Sequence, residues 1–320
     1  MRLLLLCLAI ALATVGSAAG ARVDKVAISP GKVTGLARSG YSVAWISAPT
    51  KGHCGPTVHL WVTWSGATYN LGKNPDAVCA NGQGGVTDVA VAGNRVAWLA
   101  YTSGDTRVRR NWQLLTATSS SRDGQVLAST TSNADATETP IVLGVASSSL
   151  IPYSVGSTVN VLKPDGTKAY TWQAPGQVTN TTANQANVAV FVKGGKCYVL
   201  SPAGVVTATY TFKVGSVQEF ALASVGLLVQ LPQGKVEIHN GASVRTVVLP
   251  AAARMLDFQN GFLLYRVGNQ IRALRVATGK DAFVRYGSYA AVEGNGMSYA
   301  TGRQVGSIAW VTFTSAVNHS

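Results

Sequence analysis

Charge is scarce in this 320-residue chain. Asp, Glu, Lys and Arg make up 12% of it, about half the share usual in soluble domains. Acid is the scarcer sign, with 13 Asp and Glu against 26 Lys and Arg, a formal net charge of +13. Histidine is scarcer still, and none of His53, His59, His239 and His319 falls on an inner strand of the repeat described below. That argues against a Ser-His-Asp hydrolase. The chain also lacks a Gly-x-Ser-x-Gly elbow, a phosphate-binding loop and a His-Glu-x-x-His helix. No window sustains apolar residues at i, i+3, i+4 and i+7, which removes helical folds. After the first segment every apolar run is broken within roughly ten residues, too short for a spanning helix of about 18.

The one long apolar run opens the chain. Arg2 supplies a positive start, Leu3 to Val15 an apolar stretch, and Ala19-Gly20-Ala21 a small-residue cleavage pattern. Residues 1–21 therefore read as a secretory signal peptide, and residues 22–320 as a single extracellular domain, secreted or associated with the cell surface. Cleavage removes Arg2 and Cys7 and leaves a formal net charge of +12. Of the three remaining cysteines, Cys54 and Cys79 flank one expected hairpin and make the natural disulfide in an oxidising compartment. Cys197, in the apolar stretch GGKCYVL, reads as a buried free thiol. A zinc site from His53, Cys54, His59 and Cys79 fits no ligand spacing, so neither metal nor cofactor is expected.

What the chain has in quantity is a repeated hairpin. Val86–Ala100, VTDVAVAGNRVAWLA, reads as strand, Gly-Asn turn, strand, because Gly and Asn adopt positive φ cheaply. Val33–Ser47, VTGLARSGYSVAWIS, repeats it without gaps, and weaker copies run to the C-terminus. Each copy is followed by two more short strands. Six such units have four strands and the last has three, while Arg22–Ser29 is a strand without a neighbour. Pairing Arg22–Ser29 with Ile308–Thr314 completes the seventh unit and leaves no open sheet edge. The reading is all-β: a β-propeller of seven four-stranded blades closed by the N-terminal strand. About 43 residues per blade is in the usual range.

The whole domain resembles the WD40-like and TolB-like β-propellers. The resemblance is architectural: no repeat ends in Trp-Asp or carries Gly-His, and the TolB-type Pro-Asp-Gly occurs once, at Pro164-Asp165-Gly166. It carries no functional residue over, since such propellers host binders, scaffolds and enzymes alike.

Aligning the inner strands on Val86-Thr87-Asp88 places Gly35, Asp88, Asn180 and Glu219 in equivalent positions, with Asp257 and Glu293 nearby. Such a ring could hold a cation or sugar, or supply acid and base for glycoside chemistry. The reading favoured here is plainer: these groups satisfy backbone donors where blades meet. Trp45 and Trp98 belong to the core, and Trp112 and Trp172 are better surface candidates. Trp61 and Trp64 are expected on opposite faces of one strand. Asn180-Thr181-Thr182 and Asn318-His319-Ser320 fit the glycosylation pattern. The local basic cluster Arg107, Arg109 and Arg110 beside Trp112 is the candidate anchor for an anionic ligand. Together these features describe a monomeric, non-enzymatic binding module for an anionic extracellular polymer or an acidic protein surface, with no specific nucleic acid. Asp88 and Glu219 are its candidate channel residues. The alternative is an extracellular polysaccharide hydrolase or lyase working through channel carboxylates.

Overall fold

In a computed structural model the described residues, 23–51, 55–72, 84–103, 109–133, 139–259, 261–293 and 296–309, form seven four-stranded antiparallel sheets and no α-helix. Strand β1 (Val23–Ile28) precedes the first blade, β2 (Val33–Ser39), β3 (Ser42–Ser47), β4 (Thr57–Val62) and β5 (Ala67–Leu71). The second is β6 (Gly84–Ala92), β7 (Arg95–Ser103), β8 (Arg109–Thr118) and β9 (Gln125–Asn133). The third is β10 (Ile141–Leu143), β11 (Ile151–Val155), β12 (Thr158–Leu162) and β13 (Lys168–Gln173). The fourth is β14 (Val178–Ala183), β15 (Val188–Val192), β16 (Lys196–Leu200) and β17 (Val206–Thr211). The fifth is β18 (Glu219–Ala223), β19 (Gly226–Gln230), β20 (Lys235–Asn240) and β21 (Ser243–Val248). The sixth is β22 (Arg254–Gln259), β23 (Phe262–Val267), β24 (Gln270–Arg275) and β25 (Asp281–Tyr286). The seventh joins β26 (Tyr289–Glu293), β27 (Gly296–Thr301) and β28 (Gln304–Ala309) to β1. Inner strands of successive blades touch around the ring, and β2 meets β26 to close it.

The fold is the expected seven-bladed propeller, with one boundary corrected. β1 pairs with Gln304–Ala309, from Val23 opposite Ile308 to Ile28 opposite Gln304, and not with Ile308–Thr314. A tight turn at Gly302, with φ +59°, starts the last strand earlier than the Gly306 start read from the sequence. Residues 310–320, like the expected signal peptide and both Cys54 and Cys79, lie outside the described residues. Cys197 is a free, buried thiol.

The repeated Val-Thr dipeptide has a structural meaning. Thr34, Thr87 and Thr179 each stand at a β-bulge: Val33 and Gly35 face Ser47 and Ile46, Val86 and Asp88 face Ala100 and Leu99, and Val178 and Asn180 face Val192 and Phe191. A bulge adds one residue on one strand and re-aims the side chain that follows. Leu256 makes the same irregularity in the sixth blade, so the carboxylate after it is Asp257. Glu219 heads β18 opposite Gln230, and the Gln218 N–H before it donates to the Gln230 carbonyl at 2.8 Å.

Apolar faces of neighbouring blades pack against each other. Between the first and second blades Ala44, Leu60, Val91, Val96 and Trp98 are buried together. Trp45 is fully buried and stacks on His59 at 5.1 Å. The Pro164-Asp165-Gly166 turn of the third blade reaches the second: Arg95 donates to the carbonyls of Pro164 at 2.9 Å and Asp165 at 3.1 Å.

Candidate functional site

The hairpin ends of the inner strands surround a cavity of about 460 Å³, walled by Ser147, Asn184, Asn187, Phe220, Asp257 and Glu293 among others. The β10–β11 connection enters it from the third blade. Val145 in that connection bridges to β14, donating to the Thr181 carbonyl at 3.1 Å and accepting from the Ala183 N–H at 2.9 Å.

Both carboxylates of the cavity are occupied by backbone donors. Asp257 accepts from the N–H of Phe258 at 2.7 Å and of Val292, in the next blade, at 3.3 Å. Glu293 accepts from the N–H of Gly40 at 2.6 Å and from that of Ser148. Burial pushes the Asp257 carboxyl up to about 7, with the nearby Glu293 charge adding to the rise and the two N–H donors opposing it. The plainer reading of the inner-strand acids therefore describes this pair: they join blades.

Arg38 completes the seam and was not foreseen. It is buried, and its guanidinium donates to the Glu293 carbonyl at 3.1 Å, the Ser298 and Ser307 hydroxyls at 2.9 Å, and the Gly40 carbonyl at 2.9 Å. Burial lowers its pKa to about 10 against the pull of Glu293. A signal was present: in the gapless alignment of the two hairpins, Arg38 stands where the second copy has Val91, which is fully buried.

Of the expected ligand residues, Asp88 and Glu219 lie on separate inner strands. The surrounding protein raises the carboxyl of Asp88 despite a hydrogen bond from Thr87. Glu219 is raised by burial, which outweighs Arg254 at 3.8 Å and Arg266. Arg107 lies outside the described residues, Arg109 opens β8, and the Arg110 guanidinium sits 5.0 Å over the Tyr101 ring. Trp112 is a correction. It is 3% exposed, donates to the Ser132 hydroxyl at 2.9 Å and packs with Leu114 and Ile141 between the second and third blades. Strand alternation turns it inward, so it is no surface aromatic. Trp172 is half-buried against Tyr198. Trp64 is exposed, but in the turn after β4 and not on the strand face expected for it. Asn180 and Thr182 belong to the inner strand β14, and Thr182 is buried, which is unlike an acceptor site on a loop.

Basic residues gather where no sequence run announced them. The sixth blade carries Arg254, Arg266, Arg272, Arg275, Lys280 and Arg285 against Asp257 and Asp281. Asp257 is engaged as above, and Asp281 pairs with Arg272 at 3.0 Å. No group of three or more His, Cys, Asp or Glu suited to a metal occurs among the described residues, and no helix there is long and apolar enough to cross a membrane.

No protein-family model matches the chain, and no curated protein matches it either. Solved structures do. A chain of a mitotic checkpoint complex superposes with TM-score 0.57 at 12% identity, over 97% of this chain and 98% of that one. The WD40 β-propeller domain of Doa1 gives TM-score 0.56 at 12% identity, over 90% and 97%. Raptor of Chaetomium thermophilum gives 0.53 at 10% identity, over 90% of this chain and 29% of that one. The fold is that of the WD40 propellers. At these identities the likeness is of fold alone.

Proposed function

We propose that this propeller is a secreted, non-enzymatic binding module whose ligand is an anionic extracellular polymer or an acidic protein surface. The observation that carries the reading is the sixth blade, whose strands and turns carry six cations against two carboxylates, with Arg272 paired to Asp281 and Arg254 reaching Glu219 of the fifth blade. Single exposed ion pairs contribute about 1 kcal/mol or less, so a polyanion is held only where several cations act together. A glycosidase reading is disfavoured by the same cavity that would host it. Asp257 and Glu293 each hold two backbone N–H groups, and a general acid or base must be free to exchange its proton with substrate. Residues 1–21 support secretion through their composition.

The test is retention on an immobilised polyanion with elution by a salt gradient. Wild type is expected to bind at about 0.15 M salt and to elute well before about 0.5 M, where the screening length falls below roughly 5 Å. Replacing Arg254, Arg275 and Lys280 with Gln should lower the eluting salt clearly, and Arg109→Gln with Arg110→Gln should lower it less. A wild type that passes through at about 0.15 M overturns the reading.

A further inference from the structure

A second cleft, of about 370 Å³, lies between β25 and the seventh blade, lined by Phe283, Arg285, Tyr286, Tyr299, Thr301 and Gln304. Its rim is aromatic and open. Phe283 is 44% and Tyr286 54% exposed, with ring centroids 4.9 Å apart and planes inclined by 56°. Its floor is Tyr299, buried at 2% exposure, whose hydroxyl has no hydrogen-bond partner among the described residues. The Tyr299 ring lies over Gly306, where a Cβ would come within 2.3 Å of it. Arg285 sits with its guanidinium 5.0 Å from the Tyr299 ring centre, and no described carboxylate pairs with it. Two exposed rings, a cation without an anion and a buried hydroxyl without a partner therefore meet in one place. Leaving a buried polar group unpaired costs about 1–3 kcal/mol.

We propose that this cleft is the subsite for one uronic acid unit of an anionic polysaccharide, an inference that rests on the polymer-binding reading above and names its substrate class. The inclined Phe283 and Tyr286 rings offer apolar faces to the C–H surface of a pyranose, which is not flat. Arg285 supplies the fork of N–H donors that meets a carboxylate in bidentate fashion. Gln304 and Thr301 on the rim supply hydrogen bonds to ring hydroxyls. A nucleobase, by contrast, favours a flat stacking platform, and the 56° inclination of the two rings does not build one. The basic sixth blade then holds the rest of the chain without reading its sugars.

The experiment is calorimetric titration at about 0.15 M salt with four probes: an oligogalacturonate of about ten units, its carboxyl-reduced counterpart, polyphosphate of similar length and a single-stranded oligodeoxynucleotide. Phe283→Ala with Tyr286→Ala should weaken the oligogalacturonate about tenfold and polyphosphate less than about twofold. Arg285→Gln should weaken the oligogalacturonate severalfold and leave the affinity of its carboxyl-reduced form, which offers no carboxylate, unchanged. Unchanged melting temperatures in these exposed-site variants would separate lost binding from lost folding. Wild type that binds polyphosphate but discriminates nothing in the aromatic variant overturns the subsite and leaves the polyanion reading standing. Wild type that binds neither anion overturns both. Tighter binding of the oligodeoxynucleotide, lost in the same aromatic variant, overturns the sugar in favour of a nucleobase.

Discussion

Glu293, the last residue of β26, accepts a hydrogen bond at 2.6 Å from the backbone N–H of Gly40, in the turn that ends β2. The two are 253 positions apart in the chain and adjacent in the ring. The seam between the seventh and first blades is thus closed at the channel as well as by β1, with Arg38 lodged across both.

Arg38→Met should destabilise the protein by about 3 kcal/mol, since it leaves buried acceptors on Gly40, Glu293, Ser298 and Ser307 without their donor. Combining it with Glu293→Gln should cost less than the two single changes added. Urea melts of the four proteins measure the coupling, and strict additivity would show that the two residues act separately.

Removing residues 22–29, which include β1, should cost several degrees of melting temperature or cause aggregation, because it strips β28 of its outer partner and exposes an edge. The deletion also loses the bonds from Ser29 N–H to the Arg303 carbonyl and from Arg303 back to the Ser29 carbonyl, 2.8 and 2.9 Å. Differential scanning calorimetry and light scattering on the truncated chain check this.

Asp257 should give the stability a pH dependence of unusual sign. Its carboxyl titrates near 7 in the fold and near 3.8 when exposed in the unfolded chain. Between those values the folded state binds the extra proton, so stability should fall as pH rises from about 4 to about 7 and then level off. Asp257→Asn should flatten that part of the profile. Melting curves for both proteins across that window decide it, and parallel profiles would mean the carboxyl is ionised throughout.

Cys197 should resist alkylation in the native protein at pH 8, since it is fully buried and burial drives its thiol pKa far up. It should react promptly once denaturant is added. The expected Cys54–Cys79 bridge is a separate matter, read by non-reducing peptide mapping: a peptide pair joined through Cys197 would overturn the assignment.

The fold was legible because its signals are local. Each inner hairpin carries its own turn, as at Gly93 with φ +58°, and its own alternation, so the repeat shows without knowledge of what packs on what. The site was not, because its parts are set by packing between blades. Trp112 looked like a surface ring beside arginines, yet strand alternation faces it into the second interblade core. The basic residues of the sixth blade are spaced from 254 to 285 and form no run; the meander of β22 to β25 gathers them. Phe283 and Tyr299 meet in one cleft only because the sixth and seventh blades abut.

The reach of Ser148 to Glu293 has a mechanical consequence. The two residues belong to the third and seventh blades, nearly opposite each other, so the β10–β11 connection works as a strut across a wheel. A ring joined only at its rim can flatten into an oval when pushed from one side. One braced through its hub resists that distortion, and a load applied at the sixth and seventh blades is passed directly to the far side of the disc.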